Sequence, residues 1–390
     1  MPPLRRLVPL LAAAATAAAL LPAGIATPAS AAPDASATAQ RPNWRAVPLT
    51  SPYPDYDSVS VDVQCIGSTC LVLGLVGSTS NGVPFLTTMS GHTPTTALIT
   101  EKLGTIGRAL SCPTADWCMA VGNVHLTKPA DLTWAATYSS GTWKRRSTPT
   151  PSNGIGGQAY LNDVSCTSAS WCAAVGWYFD TDFALQGLLL EWDGASWTRV
   201  ETAQPGRFLR AIECPTARHC VIAGGHRTGG LLIRQWTPRG WFRVSGAPKV
   251  GDVESADISC ETKDSCLITA DRGAAAPPLI LRTSGRTASS IDLPRGAEPV
   301  TALTGVSCDS TRTCFAVGTV DRADNTAAAA VVRISRADRV SLSTPYRAVR
   351  FASRLEAIDC DRRCVTVGQA VGQFFTLSPF ALIQRPSPTR

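Results

Sequence analysis

Cysteines recur in close pairs along this chain, and the spacing of those pairs constrains the fold more than any other feature. All 14 cysteines belong to seven pairs, and the first cysteines of successive pairs lie 46 to 54 residues apart. A fixed period in this range is typical of solenoids, propellers and domain arrays. The pairs are Cys65/Cys70, Cys112/Cys118, Cys166/Cys172, Cys214/Cys220, Cys260/Cys266, Cys308/Cys314 and Cys360/Cys364.

The repeated unit is clearest between residues 161 and 200. The segments LNDVSC, WCAAVGWY, LLLEW and WTRV are short apolar or alternating runs, and polar turns separate them. None of them has a helical period, and four such strands are typical of one propeller blade. The sequence therefore predicts an all-β fold, a seven-bladed β-propeller of four-stranded antiparallel blades.

A glycine follows the second cysteine by four places in six of the units. Glycine inside a strand indicates a bulge or a close approach of two backbones. The fifth unit reads CLITA and has Ala270 at this place, so we expect that blade to be locally altered. The glycines are Gly74, Gly122, Gly176, Gly224, Gly318 and Gly368.

The two ends of the chain predict how the ring closes. The chain ends 30 residues after Cys360, which leaves room for two more strands but scarcely a third. The early segment NWRAV resembles the fourth-strand segments SWTRV and GWFRV. We therefore expect a strand near 43–49 to complete the last blade of a domain spanning 42–390, which would remove an open sheet edge. An open solenoid or two smaller domains are the alternatives, although a solenoid would need capping units.

Each cysteine pair brackets a hairpin turn, where residues on antiparallel strands stand within disulfide reach. A structural zinc site needs four converging ligands, and the four histidines of the chain do not follow the pairs. A redox site would favour a CxxC motif, which does not occur. The sequence predicts one hairpin disulfide per blade, with no metal and no cofactor.

The start of the chain has the pattern of an export signal. It opens MPPLRRLVPLLAAAATAAALL, a pair of arginines followed by an apolar run, and the small-residue motif ASA stands at 29–31. The apolar run is shorter than the roughly 20 residues that a spanning helix needs. We predict a signal peptide over 1–31, a short flexible linker over 32–41, and a secreted protein without a transmembrane segment, extracellular or loosely associated with the cell wall.

The net charge is modest for a chain of this length. The formal charge of +7 falls to +5 when the two arginines of the predicted signal peptide are removed. Nucleic-acid recognition usually needs a concentrated basic face. We therefore predict no nucleic-acid partner, and we expect a monomer.

Two motifs suggest chemistry but also have structural interpretations. The segment EWDGASW partly matches the Asp-box S-x-D-x-G-x-x-W of sialidase-like propellers, because Gly194 and Trp197 fit but Trp192 occupies the aspartate position. We favour a turn between the third and fourth strands with a packing tryptophan. Asp180 and Asp182 could offer carboxylates to calcium or to acid-base chemistry, and a solvated turn is the preferred interpretation.

The binding candidates are Trp177 and Tyr178, just beyond the blade glycine. Aromatic rings there could stack on sugars or grip a peptide, although packing between blades is the commoner use of buried rings. The basic segment WKRRS at 143–147 could hold an acidic glycan, but on an outer strand such charges usually face water. No nucleophile elbow or HExxH motif is present, so no catalytic residue is assigned.

The repeat VSC-x5-C-AVG followed by EWDG-x2-W resembles a group of secreted, largely uncharacterised actinobacterial repeat proteins of kelch-like or BNR-like propeller type. It lacks the repeated diglycine of true kelch units and the GH…WD signature of the WD family. The resemblance implies a propeller and export, and no activity, because fold does not fix function.

Three functions are compatible with this pattern. The favoured one is a non-catalytic extracellular binding or scaffold propeller for a glycan or a protein. The alternative is a glycosidase-like or lyase-like enzyme, which predicts two carboxylates about 5 to 10 Å apart near the channel mouth. The third is a purely structural envelope protein with a filled channel.

Overall fold

The computed structural model describes the propeller region of the chain and leaves the predicted signal peptide and linker outside the described residues. Those two predictions therefore remain predictions. No helix of the described part has the length and hydropathy of a membrane span. The described residues are 43–385 without 79–80, 91–92, 126–131, 201–206, 227–228, 274–275, 295–297, 311, 323, 325, 347–351 and 372–375.

In the part of the chain that the structure describes, 28 strands form seven four-stranded antiparallel sheets, which confirms the predicted seven-bladed propeller. We number the blades 1 to 7 from the sheet that begins at β2. Blades 1 to 3 are β2(Ser58–Ile66), β3(Thr69–Val76), β4(Val83–Met89), β5(Thr95–Leu98); β6(Thr105–Thr114), β7(Trp117–Val124), β8(Leu132–Ser139), β9(Thr142–Arg146); and β10(Gly154–Ser168), β11(Trp171–Asp180), β12(Leu185–Trp192), β13(Trp197–Val200). Blades 4 to 7 are β14(Arg207–Thr216), β15(His219–His226), β16(Leu231–Thr237), β17(Gly240–Arg243); β18(Ser255–Thr262), β19(Ser265–Asp271), β20(Leu279–Ser284), β21(Thr287–Ile291); β22(Val300–Cys308), β23(Cys314–Asp321), β24(Ala327–Ile334), β25(Val340–Tyr346); and β26(Ser353–Cys360), β27(Cys364–Val371), β28(Leu377–Gln384) with β1(Trp44–Pro48).

The ring closes as the sequence predicts, because β1 is the fourth strand of blade 7. It pairs antiparallel with β28, from Trp44 opposite Gln384 to Pro48 opposite Phe380. Trp44 is buried and meets the ring of Phe315 of blade 6 edge-to-face, with centroids 6.1 Å apart. The N-terminal strand thus covers the outer strand of the last hairpin and also packs against the preceding blade.

Seven disulfides, one in each blade, join the two strands of the first hairpin. Cys166 and Cys172 are direct cross-strand partners with Cα atoms 4.0 Å apart, and nearly the same separation recurs around the ring. Among the described residues no cysteine is free. The predicted pairing is confirmed in all seven cases: Cys65–Cys70, Cys112–Cys118, Cys166–Cys172, Cys214–Cys220, Cys260–Cys266, Cys308–Cys314 and Cys360–Cys364.

The second cysteine of every pair is a core residue, although it follows a polar turn. Cys70, Cys118 and Cys266 are 3%, 0% and 0% exposed, and each belongs to an apolar cluster packed between two blades. Each bridge therefore lies within one hairpin, and its second cysteine also packs against the neighbouring blade. The remaining second cysteines are buried in the same way, namely Cys172, Cys220, Cys314 and Cys364.

In five blades the glycine is explained by a bulge in the strand that faces it, whereas a Cβ on Gly74 would meet the ring of Phe85. In six blades the first strand has a register shift four residues before its cysteine, as at Asn162 between Leu161 and Asp163. A Cβ on Gly176 would overlap the carbonyl oxygen of Tyr160 beside that bulge. Blade 5 has no shift at this place, which is why Ala270 fits there. The locally altered blade was expected, and the bulge lies in the first strand.

Candidate binding site at the central channel

The central channel is lined by the first strand of every blade. These strands lie at one edge of each sheet and contact the first strands of the neighbouring blades. An edge strand leaves alternate backbone N–H groups without a partner in its own sheet. Side chains from the preceding blade accept hydrogen bonds from these groups, so the channel wall is closed by contacts between blades.

Three aspartates provide one layer of these contacts. Each stands three residues before the first cysteine of blades 1, 3 and 5, and each accepts a backbone N–H from the next blade at 2.6 to 2.7 Å. The next blade has a small residue at the equivalent place: Ala109, Ala211 or Gly305. The three bonds run from Leu110 to Asp62, from Ile212 to Asp163 and from Val306 to Asp257.

A second layer lies next to the cysteines. The residue before the first cysteine accepts the backbone N–H of the first cysteine of the next blade at six of the seven blade interfaces. Glu213 of blade 4 is the exception, because its carboxyl group accepts no hydrogen bond from a described residue. The acceptors are Gln64, Ser111, Ser165, Ser259, Ser307 and Asp359.

The second cysteines take no part in this wall. Cys70, Cys118 and Cys266 were predicted among the site residues as disulfide partners, and the structure restricts them to that role because their side chains are buried between blades. A ligand cannot reach these sulfurs in the folded ring. The candidate site is therefore built from other residues of the channel.

An odd number of blades cannot keep a strict alternation of aspartate and small residue. Blade 7 has Ala357 where the aspartate would stand and carries its carboxylate two residues later, at Asp359. Asp359 accepts the backbone N–H of Cys65 at 2.6 Å and the side-chain amide of Gln64 at 3.1 Å. This carboxylate joins the last blade to the first.

Five carboxyl groups, which we call the channel carboxyl groups, share a cavity of about 160 Å³. They belong to Asp62, Asp163, Glu213, Asp257 and Asp359. Burial raises the pKa of all of them, and repulsion from neighbouring carboxylates adds to the effect at Asp62, Asp163, Glu213 and Asp257. The pKa of Glu213 rises to about 8 because it is enclosed and faces Asp257 and Asp359. Each of the five keeps part of its surface towards the channel. No three described carboxylates bring oxygens within 4.8 Å of one another, so these groups form no compact cation site.

In two blades the first strand carries a basic residue one position further from the cysteine than the aspartate layer, and we call this part of the channel the channel mouth. Arg108 of blade 2 and Arg210 of blade 4 occupy the bulge position of their strands. Burial lowers the pKa of Arg210, and the charge of Arg108 lowers it further while Glu254 of blade 5 opposes the change. Arg108, Arg210 and Glu254 belong to blades 2, 4 and 5, and the channel is the place where residues of these three blades come close enough to interact. The Nε of Arg210 is buried without a hydrogen-bond partner in the described structure.

An aromatic cluster adjoins these arginines and contains the predicted binding residue Trp177. Trp177 on β11 is directly paired with Tyr160 on β10, and the two rings stack with centroids 4.3 Å apart. Phe179 and Phe208 meet Trp177 edge-to-face at 5.5 and 5.2 Å. Trp177 and Phe208 are both half-buried. The guanidinium of Arg210 lies 5.0 Å from the centroid of the Phe208 ring, which joins the cluster to the basic mouth.

Tyr178 lies in the core, in contrast to its neighbour. Its ring is 2% exposed and packs within the apolar cluster between blades 2 and 3. Its hydroxyl donates to Asn153 Oδ1 at 3.1 Å and accepts from Arg199 at 2.6 Å. A ligand would reach this ring only after the blade had rearranged, so Trp177 is the one of the two predicted binding residues that belongs to the candidate site.

The other sequence motifs form turns. The side-chain amide of Gln186 donates to Asp180 and, with the backbone N–H groups of Ala184 and Asp182, holds the pKa of Asp180 below its usual value. Asp193 in EWDGASW accepts the N–H groups of Ala195 and Ser196 across the β12–β13 turn.

The tryptophans of EWDGASW belong to the packing of blade 3. Trp192 and Trp197 are both buried and lie in contact with each other. On the outer strand of the preceding blade, Arg146 from the basic segment lies over the Trp192 ring at 5.4 Å.

One group of potential metal ligands occurs among the described residues. Glu261, Cys308 and Cys314 bring their ligand atoms within 4.8 Å of one another. The two sulfurs are joined in a disulfide and cannot bind as thiolates. Glu261 also pairs with Arg282 at 3.1 Å, so this group is a structural contact.

Solved structures with a similar fold include YCF48, a protein of unknown function and a sialidase. YCF48 from Cyanidioschyzon merolae is 13% identical with a TM-score of 0.53, and the match covers 88% of this chain and 98% of that one. The protein of unknown function, from Dyadobacter fermentans, is 12% identical with a TM-score of 0.51, over 88% and 99% of the two chains.

The sialidase of Trypanosoma rangeli, solved in complex with sialic acid, is 9% identical with a TM-score of 0.51. The match covers 87% of this chain and 57% of the sialidase. Identities this low show the fold and carry no activity across. No family model matches the chain, and no curated protein matches it in sequence.

Proposed function

We propose that this chain is a secreted, non-catalytic propeller that binds an extracellular glycan at the channel mouth. The observation that carries the proposal is the half-buried Trp177 in an aromatic cluster that continues into Phe208 and Arg210. An aromatic ring offers an apolar face to the C–H groups of a sugar, and a guanidinium donates to its hydroxyl or acidic groups. Neither contact involves a reacting atom.

The unpartnered Nε of Arg210 supports the same site. A buried donor without an acceptor costs free energy, and a ligand oxygen would recover that energy on binding. Seven disulfides agree with an oxidising compartment outside the cell, where such bonds persist. Secretion, the absence of a nucleic-acid partner and the monomeric state belong to the proposal.

The channel carboxyl groups favour a second candidate, an enzyme of glycosidase or lyase type. Glu213 with its pKa of about 8 holds a proton at neutral pH, as a general acid must, and Asp257 with a pKa of about 6 is close enough to repel it. We rank this candidate second for two reasons. Asp257 already accepts two backbone N–H groups, and the cavity of about 160 Å³ is below the usual range of about 300 to 1,000 Å³ for ligand pockets.

The experiment is a glycan array probed with the full chain, produced with its disulfides formed, alongside the Trp177→Ala variant. The proposal expects a defined set of bound glycans and a loss of signal for that set in the variant. Uniform failure to bind would overturn it. Glycans that bind are then tested for cleavage by wild-type protein and by Glu213→Gln. Cleavage that disappears in Glu213→Gln would establish the enzyme instead.

A further inference from the structure

Positive charge is concentrated in blade 4, which an average over the whole chain conceals. Residues 207 to 250 contain seven arginines and one lysine, with Glu213 as the single acidic residue. Glu213 lies in the channel layer, and the pKa of about 8 leaves it mostly protonated at neutral pH. The basic side chains of this blade therefore have no acidic partner within their own blade.

Three of these arginines meet at one cavity. Arg207 begins β14, Arg234 lies on β16 and Arg243 ends β17, and all three line a cavity of about 360 Å³ together with Lys249. This volume is within the range of small-ligand pockets. We call it the arginine cavity. It includes neither Trp177 nor Arg210, so it is separate from the channel mouth.

The register of the sheet places like charges directly opposite each other. Arg234 and Arg243 are direct partners in the β16–β17 pair. Like charges at such positions destabilise an antiparallel pair. Burial lowers the pKa of Arg234, and the charges of Arg207 and Arg243 lower it further. The guanidinium nevertheless stays protonated at neutral pH.

The donors of this cavity are largely unused. Arg234 makes one long hydrogen bond of 3.4 Å to the carbonyl oxygen of Ile233, its neighbour in the chain. The Nε of Arg207 is buried and has no hydrogen-bond partner in the described structure. No salt bridge joins any of the three arginines to a described carboxylate. The blade thus keeps at one place three arginines without a salt bridge to a described carboxylate, and a buried guanidinium donor without a hydrogen bond.

We propose that the arginine cavity binds a tetrahedral oxyanion, a phosphate or sulfate group. Guanidinium groups hold such oxygens through paired N–H donors, and three arginines with Lys249 match the charge of a dianion better than that of a single carboxylate. The bound anion removes the repulsion between Arg234 and Arg243 and accepts from Arg207 Nε. The group is either a free anion or an ester carried by a sugar.

The test is isothermal titration of the full chain at constant ionic strength. The probes are inorganic phosphate, inorganic sulfate, glucose 6-phosphate and glucuronate, with sodium chloride as the reference. We expect saturable binding of phosphate and sulfate and weaker binding of glucuronate. Equal affinity for glucose 6-phosphate and phosphate identifies the anion as the whole ligand, and tighter binding of the ester identifies a sugar phosphate. Phosphate and sulfate binding no better than chloride, or glucuronate binding as tightly as phosphate, would overturn the proposal.

Matched variants locate the binding. Arg234→Gln keeps a polar side chain, shorter and without charge, and should weaken phosphate binding about tenfold or more, as expected for the loss of a charge-assisted pair. Arg234→Lys keeps the charge and should give an intermediate affinity. Arg145→Gln, on the exposed outer strand of blade 2, should leave the affinity unchanged. An equal loss in Arg145→Gln would contradict the site. Trp177→Ala should not alter phosphate binding, which separates this proposal from the channel-mouth proposal.

Discussion

The backbone N–H of Ile212 in blade 4 donates to Asp163 Oδ2 in blade 3 at 2.6 Å, and this bond closes the inner edge between the two blades. The other oxygen of Asp163 accepts the N–H of Val164 at 2.7 Å. One carboxyl group therefore serves two edge donors. The same arrangement at Asp62 and Asp257 makes these three aspartates structural components of the ring.

Replacement of Asp163 by alanine should destabilise the propeller. The variant leaves the N–H of Ile212 without its acceptor, and the loss of such bonds costs about 2 to 3 kcal/mol. Urea unfolding followed by far-UV circular dichroism measures the change. Asp182→Ala, in the exposed β11–β12 loop, is the control and should cost less than about 0.5 kcal/mol. Equal effects of the two variants on stability would contradict a structural role for Asp163 in the channel wall.

The carboxyl group of Glu213 should make the protein less stable as the pH rises. Its pKa is about 8 in the fold against an ordinary value of 4.5, so the folded state holds a proton that the unfolded chain releases. Its contribution to stability is complete below about pH 4.5 and is lost as the pH rises to about 8. The melting temperature of the wild type should therefore fall across this window.

Glu213→Gln tests the assignment of that pH dependence. The variant removes the titrating group and should flatten the decline between pH 5 and pH 8. At pH 8 the variant should be more stable than the wild type by about 2 kcal/mol, a gain limited because the Glu213 side chain keeps some contact with the channel. At pH 5 the two proteins should have similar stability. A variant whose melting curve follows the wild type at every pH would assign the decline to other groups.

Gly176→Ala should be far more harmful than the reverse change at the equivalent place in blade 5. The new Cβ would meet the carbonyl oxygen of Tyr160, and overpacking of this kind costs about 1 to 3 kcal/mol or more. Ala270→Gly has no bulge opposite it and should cost no more than about 1 kcal/mol, the usual penalty for glycine in a strand. Chemical denaturation of both variants gives the comparison, and the opposite order would refute the role of the bulge.

Removal of one hairpin disulfide should cost a moderate amount. In the chain-entropy model, a closed loop of about seven residues contributes roughly 2 kcal/mol. The double variant Cys166→Ala with Cys172→Ala puts no hydroxyl into the buried place of Cys172. It should lower the free energy of unfolding by at least this amount and keep the circular dichroism spectrum of the wild type. A complete loss of folding would show that this one bridge is essential to the whole ring.

Much of the fold follows from local signals in the sequence. The period of the cysteine pairs predicts the number of blades, and NWRAV predicts the ring closure because the fourth strand has its own tryptophan pattern. Ala270 predicts an altered blade 5, because it stands where the other six repeats have glycine. Each of these features lies within one repeat, so a comparison of the repeat sequences with one another reveals it.

The contacts between blades could not be predicted in the same way. Asp62, Asp163 and Asp257 occupy equivalent places in alternate repeats, but their partners are backbone groups of the next blade. Recognition of these pairs requires knowing that the first strand is innermost. The burial of Cys118 and Cys266 likewise depends on the neighbouring blade that covers them.

The arginine cavity depends on structure for the same reason. Arg234 and Arg243 become neighbours only through the register of β16 and β17. Trp177 was identifiable as an aromatic candidate, whereas the burial of Tyr178 depends on which face of β11 packs against blade 2.

The most direct test of the central proposal is a titration of a glycan selected on the array into wild-type protein, Trp177→Ala and Trp241→Ala. Trp241 is a half-buried tryptophan on the outer strand of blade 4 and serves as the matched control. Trp177→Ala should lose about tenfold or more in affinity, as expected when an aromatic stacking contact is removed, and Trp241→Ala should bind as the wild type does. Unchanged affinity in a folded Trp177→Ala variant would contradict a glycan site at the channel mouth.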